Sequence, residues 1–342
     1  MPKTPSERRP GVWGWLAYYW PSIRKVLLVV FVVSVVVMLG FLARDVDWPE
    51  VWTALRNTKP TVMVWAAGFT ALSYFFYSLY DVLGRIYTRQ SLGNLKVMLI
   101  CAVSYAFNLS LGSFVGGMGF RYRLYSRAGL KGSTTTRILG LSLATNWMGY
   151  FLLGGVIFAS GIVQMPQGWE VGTGALRLIG VALVAVAVGF WAMCAFSTRR
   201  EWTIKGHAIV LPSGRMAAME IALGMASWLS IGAILYVLFE QRVDFFLLLG
   251  VFLLSGIAGA FAHIPGGLGV IEAVFVALLS SKVPTSQILG ALVAYRALYY
   301  LAPLLLATLG YLALEASLKR SDAARQPEDG EEKGKGGSAV KS

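Results

Sequence analysis

Residues 26–43 are eighteen consecutive residues without a charge. A run of that length and polarity crosses a bilayer as a helix, because backbone N–H and C=O groups find no water there and must bond within their own segment. Eight further apolar runs follow, at 61–80, 97–115, 138–163, 175–196, 216–239, 245–262, 270–280 and 288–316. The solvent of this chain is therefore lipid. Composition agrees: 14% of the residues are charged, against about 25% in a soluble domain. The net charge of +13 could suggest nucleic acid. The basic residues, however, sit in short stretches between the apolar runs, which is the pattern of cytoplasmic membrane loops. Disordered chains and nucleic-acid-binding domains are excluded. The expected fold is all-α, a polytopic helical membrane protein with about 6–8 transmembrane helices, two re-entrant hairpins and inverted repeats.

The amino-terminal segment 1–23 carries Lys3, Arg8 and Arg9, and Arg24 and Lys25 follow directly. The run after them is too long for the apolar core of a signal peptide, so it reads as an uncleaved span with its amino-terminus inside. Trp13, Trp15, Tyr18, Tyr19 and Trp20 precede it, as aromatic residues do at a membrane interface. Trp48, Val51, Trp52 and Leu55 recur at helical spacing and predict a short interfacial helix. The 24 residues from Lys319 are polar and rich in charge, and a disordered cytoplasmic tail is expected over 319–342.

Loop charge sets the orientation. Residues 81–96 hold Arg85, Arg89 and Lys96 against Asp81, and 116–137 hold Arg121, Arg123, Arg127, Lys131 and Arg137 with no acid. Both read as inside, so the run between them, 97–115, is expected to enter and return as a hairpin. Residues 164–174 read as outside, 197–215 as inside and 240–244 as outside. The run 270–280 is too short to span, so with 245–262 it forms a second hairpin, entering from outside. Both termini then lie in the cytoplasm.

A shift of 150 residues superposes the two hairpin regions. Gly116-Gly117-Met118-Gly119 falls on Gly266-Gly267-Leu268-Gly269, Ile138-Leu139-Gly140 on Ile288-Leu289-Gly290, Ala144 on Ala294 and Tyr150 on Tyr300. Related units of opposite orientation are inverted repeats, here about 61–163 and 211–316 within a membrane domain 24–318. Helices broken at corresponding positions point to a binding site. Glycine permits the break, and a helix starting after Gly119 or Gly269 would offer N–H groups and a positive dipole end to an anion.

Intramembrane charges are the second signal, since they are costly and functional by default. Glu272 sits three residues after Gly269, and Arg296 lies in the middle of an apolar run, as a candidate partner. Arg121 and Arg123, with Arg127 and Lys131, form the densest basic patch, and the planar arginine fork suits phosphate. His263 borders the second glycine loop. Asp81 and Glu220 are weaker candidates, with Asp81 expected at the interface. Arg177 is expected to snorkel. Cys101 and Cys194 lie in apolar runs and make no disulfide framework. With two histidines there is no zinc set, and nucleotide-loop, metalloprotease and serine-hydrolase motifs are missing. No cofactor is expected.

Gly116-Gly117-Met118-Gly119-Phe120-Arg121-Tyr122-Arg123-Leu124-Tyr125, with Gly129-Leu130 following, resembles the membrane domain of lysylphosphatidylglycerol synthases, the flippase part of the multiple peptide resistance factor proteins. Ile264-Pro265-Gly266-Gly267-Leu268-Gly269-Val270-Ile271-Glu272, with Arg296 in the next helix, resembles it too. The resemblance spans about residues 20–318. It implies a polytopic fold in the bacterial inner membrane and movement of an anionic or aminoacylated phospholipid between leaflets, as in stand-alone members of the family. The family's enzymes carry a soluble aminoacyl-transferase domain after the membrane part. Here a polar tail stands in that place, so aminoacyl transfer is not expected. The head-group site implied by motif and charge together is Arg121, Arg123, Gly117, Gly119, His263, Gly266, Gly267, Gly269, Glu272 and Arg296. The expected partners are membrane phospholipids. Two other readings stand beside transport: a membrane enzyme acting on lipid-linked phosphate head groups, and a membrane partner of a lipid-synthesising enzyme.

Overall fold

A computed structural model describes residues 48–166, 172–198, 201–204, 207–262 and 269–312. The expected first span, the aromatic cluster before it, the polar tail, and His263, Gly266 and Gly267 lie outside the described residues. Within them the chain is helical, apart from one two-stranded antiparallel hairpin, β1 (Glu201–Ile204) with β2 (His207–Val210). The order is α1 (Trp48–Asn57), α2 (Pro60–Tyr87), α3 (Asn94–Leu111), α4 (Phe120–Arg127), α5 (Gly132–Ser160), α6 (Thr173–Phe196), α7 (Gly214–Leu238), α8 (Phe245–Ala262), α9 (Val270–Leu279) and α10 (Thr285–Arg296).

Six described helices are long and apolar enough to cross a membrane: α2, α3, α5, α6, α7 and the helix that α10 opens, Thr285–Leu312. They show the inverse of soluble packing. Leu178, Val181 and Phe196 of α6 point outward and are largely exposed, while Ser73, Ser104 and Thr145 are buried. With lipid outside, apolar side chains gain nothing by hiding, and polar ones gain by turning in. Close approach is made by glycine. A Cβ on Gly149 of α5 would sit 2.4 Å from the Gly224 backbone of α7, and one on Gly180 of α6 would sit 2.7 Å from the Gly155 carbonyl of α5. Small residues at crossings are how membrane helices bring their backbones together.

The first hairpin forms, but its turn comes later than expected: the run 97–115 supplies one limb and only the start of the return. α3 takes all eighteen residues from Asn94 and stops at Gly112, whose φ of 82° and ψ of 168° suit only glycine. A π-helical segment, Ser113–Gly119, then leads into α4. The return limb is therefore 113–127, and Leu124 and Tyr125 of α4 pack with Val97 near the start of α3. The second hairpin, α8 with α9, also returns to its own end: Arg242, just before α8, donates to Gln287 Oε1 in the first turn of α10, the helix that follows α9 (2.7 Å).

These hairpins enter from opposite ends of the bundle. At one end Lys59 before α2 pairs with Glu240 after α7 (2.9 Å), beside the Arg242–Gln287 contact. At the other, Tyr87 at the end of α2 donates to the Val210 carbonyl before α7. The second hairpin opens at the Lys59 end and the first at the Tyr87 end. Lys131 and Ser281 thus lie at opposite ends, both exposed. Cys101 and Cys194 are both buried and form no disulfide with each other. A membrane-impermeant thiol reagent is therefore expected to miss the native cysteines and to label single cysteines at 131 and 281 from opposite faces of a vesicle. Labelling of both from one face would contradict this topology.

The last long helix departs from α geometry at Ala297–Leu301, a π-helical turn. The run's proline lies just beyond it. Pro303 has no N–H for the carbonyl of Tyr299, four residues back, and its ring crowds that carbonyl. Tyr74 of α2 supplies the donor instead, its hydroxyl reaching Tyr299 O at 3.3 Å.

Candidate functional site

Each return limb carries one ion pair. On the first, the π-helical segment lies so close against α3 that a Cβ on Gly116 would be 2.1 Å from the Phe107 carbonyl oxygen. Phe107 and Phe120 stack at 3.9 Å. This seating turns Arg121 inward, not toward the surface patch that the density of arginines implies. Its Nε lies 3.2 Å from Asp81 Oδ2, a second guanidinium nitrogen donates to Cys101 Sγ at 3.0 Å, and the fork lies over the Tyr77 ring. Tyr125 donates to the same Asp81 oxygen at 2.8 Å. Asp81, expected at the interface, is completely buried because α4 packs across it. Arg123 is half-buried with its guanidinium over the Tyr311 ring, and Arg127 and Lys131 are exposed.

On the second limb Glu272 and Arg296 meet as a fork. Arg296 Nε donates to Glu272 Oε1 at 2.8 Å and a terminal nitrogen donates to Oε2 at 3.1 Å. Glu272 also accepts from Gly269 N at 2.9 Å. Gly269, with φ of 79°, starts α9 and leaves that N–H open. Accessibility separates the two pairs. The Arg121 and Asp81 side chains are 7% and 0% exposed, whereas those of Arg296 and Glu272 are 16% and 23% exposed. The first pair is sealed; the second can be reached.

The open helix starts expected after the glycines are already served. No free start exists at Gly119, because the π-helical segment runs into α4 and Gly119 itself has helical angles. At Gly269 the first-turn carboxylate of Glu272 occupies the positive end of α9, as an acidic residue does at a helix N-terminus. Gly117 lies in the segment against α3, where a Cβ would meet Asn108 Oδ1 at 2.6 Å. Among the described residues no group of three potential metal ligands exists.

A tyrosine cluster joins the two regions. Tyr299 Oη is 2.9 Å from both Ser73 Oγ of α2 and Tyr105 Oη of α3, and the Tyr77 and Tyr105 rings stack at 3.6 Å. Tyr299 lies one turn after Arg296, so the first hairpin and the helix of the second ion pair share one hydrogen-bonded core. Tyr74, Tyr77 and Tyr80 recur at helical spacing in α2, a pattern that could have placed this face inside.

Comparison with known proteins agrees with the motifs. The family model described as "Lysylphosphatidylglycerol synthase TM region" matches residues 26–307. "Inner membrane protein YbhN" of Escherichia coli (strain K12) is 44% identical over 308 residues, 90% of this chain and 97% of that one. "Uncharacterized protein slr0712" of Synechocystis is 29% identical over 271 residues, 78% and 84% of the two chains. "Phosphatidylglycerol lysyltransferase" of Staphylococcus haemolyticus is 33% identical over 84 residues, 23% of this chain and 10% of that longer protein.

Proposed function

Since the chain belongs to the lysylphosphatidylglycerol synthase transmembrane-region family, we propose that this multi-pass membrane protein is a lipid transporter of the bacterial inner membrane, not an enzyme. Its substrate is an anionic or aminoacylated phospholipid, moved between leaflets. The observation that carries the reading is the partly accessible Glu272–Arg296 fork at the tip of a hairpin. An arginine fork matches a phosphate and a carboxylate matches an ammonium group. A head group bearing both can replace the internal pair with two bonds of its own. The charges then stay paired throughout, which is what an intramembrane ion pair requires. The buried Asp81–Arg121 pair holds the first return limb, and the half-buried Arg123 lies nearer that limb's open end.

We read the two hairpins as inverted copies, which supports access to the site from both sides in turn. The end that carries Arg85, Arg89, Lys96, Arg127, Lys131 and Arg215 is the cytoplasmic one on the positive-inside rule. An apolar cavity of about 340 Å³ between α5, α6 and α7, lined by Leu152, Trp191 and Ile221, suits an acyl chain.

The test is movement of fluorescent phospholipids in vesicles containing the purified protein. Wild type should move lipids selectively by head group. Glu272→Ala and Arg296→Ala should each slow that movement by about tenfold or more, since a lost charge-assisted contact of this kind is worth well over 1 kcal/mol. Folded yield should be retained, because the pair is partly exposed. Movement at the wild-type rate in both variants would remove the pair from the pathway. A folded wild type that moves no lipid would favour a membrane partner of a lipid-synthesising enzyme.

A further inference from the structure

Among the described residues, Asp81 with Arg121 and Glu272 with Arg296 form two ion pairs in this bundle, and another carboxylate stands apart from both. Glu220, in the second turn of α7, is completely buried. Neither of its carboxylate oxygens has a hydrogen-bond partner among the described residues. Its depth follows from the crossing of α5 and α7, which run parallel. Gly224 packs on Thr145 and Gly149, so Glu220, one turn earlier, lies at the level of 141–145. Ser142 is there, buried, and its hydroxyl also has no partner among the described residues. Two orphaned polar groups thus occupy one layer of the bundle.

The charged and titratable groups on the surrounding helices do not relieve it. α2, α5, α6, α8 and α10 pack against α7. On α2, Asp81 is taken by Arg121 and Tyr125, Tyr77 lies under the Arg121 fork, Arg85 donates to the Gln90 carbonyl, and the Tyr80 hydroxyl is buried with no hydrogen-bond partner among the described residues. Tyr87 at the end of α2 feels both Glu220 and Arg137 of α5. α6 offers Arg177 near its distant start and the Cys194 thiol, α8 carries no titratable group, and Arg296 of α10 is held by Glu272. On α7 itself the other charge is Arg215, in the first turn.

A carboxylate anion in such a place needs a counter-charge. A hard metal cation takes about six oxygen ligands, and this layer offers one carboxylate and one hydroxyl. A proton needs only the carboxyl group. We propose that Glu220 is a proton-binding site inside the membrane domain, loaded and released as the protein changes conformation. The coupling of that proton to substrate movement rests on the transport reading above.

The experiment has two arms on the full chain in vesicles. Infrared pH titration should reveal a protonated-carboxyl band that is lost in Glu220→Gln and kept in Glu272→Gln. Glu220→Asp should keep a band with a displaced midpoint, which covers the case in which the glutamine variant does not fold. A titration identical in wild type and Glu220→Gln overturns the site. In the second arm, one pH unit across the membrane should change wild-type lipid movement by up to about tenfold, and Glu220→Gln should lose that response. Lipid movement that ignores the gradient, with the band present, overturns the coupling. A wild type with the band and no lipid movement at any pH upholds the proton site and overturns the transport reading.

Discussion

Replacing Asp81 with alanine is expected to prevent the accumulation of folded protein. Removing one partner of a buried ion pair leaves the other charge uncompensated, at a cost of about 3–5 kcal/mol. Total stability is only about 5–15 kcal/mol for a typical domain. The charge left behind is Arg121, 7% exposed, with the Cys101 sulfur and the Tyr77 ring face as its remaining contacts. Neither carries a formal negative charge. Tyr125 would lose its acceptor as well. Arg121→Ala should be nearly as harmful, because Asp81 would keep a single hydrogen bond. The double variant Asp81→Leu with Arg121→Met should recover much of the loss, since an apolar pair of similar volume needs no charge compensation. The measurement is monodisperse yield in detergent and thermal unfolding of all three variants. Wild-type unfolding of Asp81→Ala would show that Arg121 finds another counter-charge.

Among the described glycines, Gly116→Ala should be the most damaging substitution. Its Cβ would lie 2.1 Å from the Phe107 carbonyl oxygen and 2.6 Å from the Asn108 nitrogen, both backbone atoms that cannot turn aside. Overpacking a fitted site costs about 1–3 kcal/mol, occasionally more, and here the only relief is to part the return limb from α3. That would withdraw Arg121 from Asp81, so the two effects compound. Gly140→Ala is the control. No heavy atom lies within 4 Å of that added methyl, and a helical position prefers alanine by about 1 kcal/mol. Heat-induced aggregation should begin well below the wild-type temperature for Gly116→Ala and at or above it for Gly140→Ala. Equal behaviour of the two would mean that the hairpin packs more loosely than these distances require.

Much of this protein is legible without its coordinates. The membrane spans follow from hydropathy, and the entry of the hairpins from opposite ends follows from counting basic residues in loops. The Glu272–Arg296 pair is legible for the same reason: two opposite charges stand in largely apolar helices on either side of a short loop, where the exclusion of water favours their pairing. These are local sums, or pairings of near neighbours, set by the exclusion of water. The role of Arg121 is not of that kind. Counted in its loop it is one more basic residue, and only the packing of α4 across α2 turns it toward Asp81, forty residues away. The N-terminal ends after Gly119 and Gly269 look open as a pattern, yet one is absorbed by a π-helical turn and the other is capped by Glu272. Pro303 announces a disturbance but not that Tyr74 would supply the missing donor. Hydropathy and loop charge alone mark the described segments that are apolar enough to span and place the two hairpins at opposite ends, because both depend on transfer free energies summed along the chain. Which buried polar group meets which was decided only by the tertiary structure, because it depends on how each helix is rotated about its axis and how closely glycine lets two backbones approach.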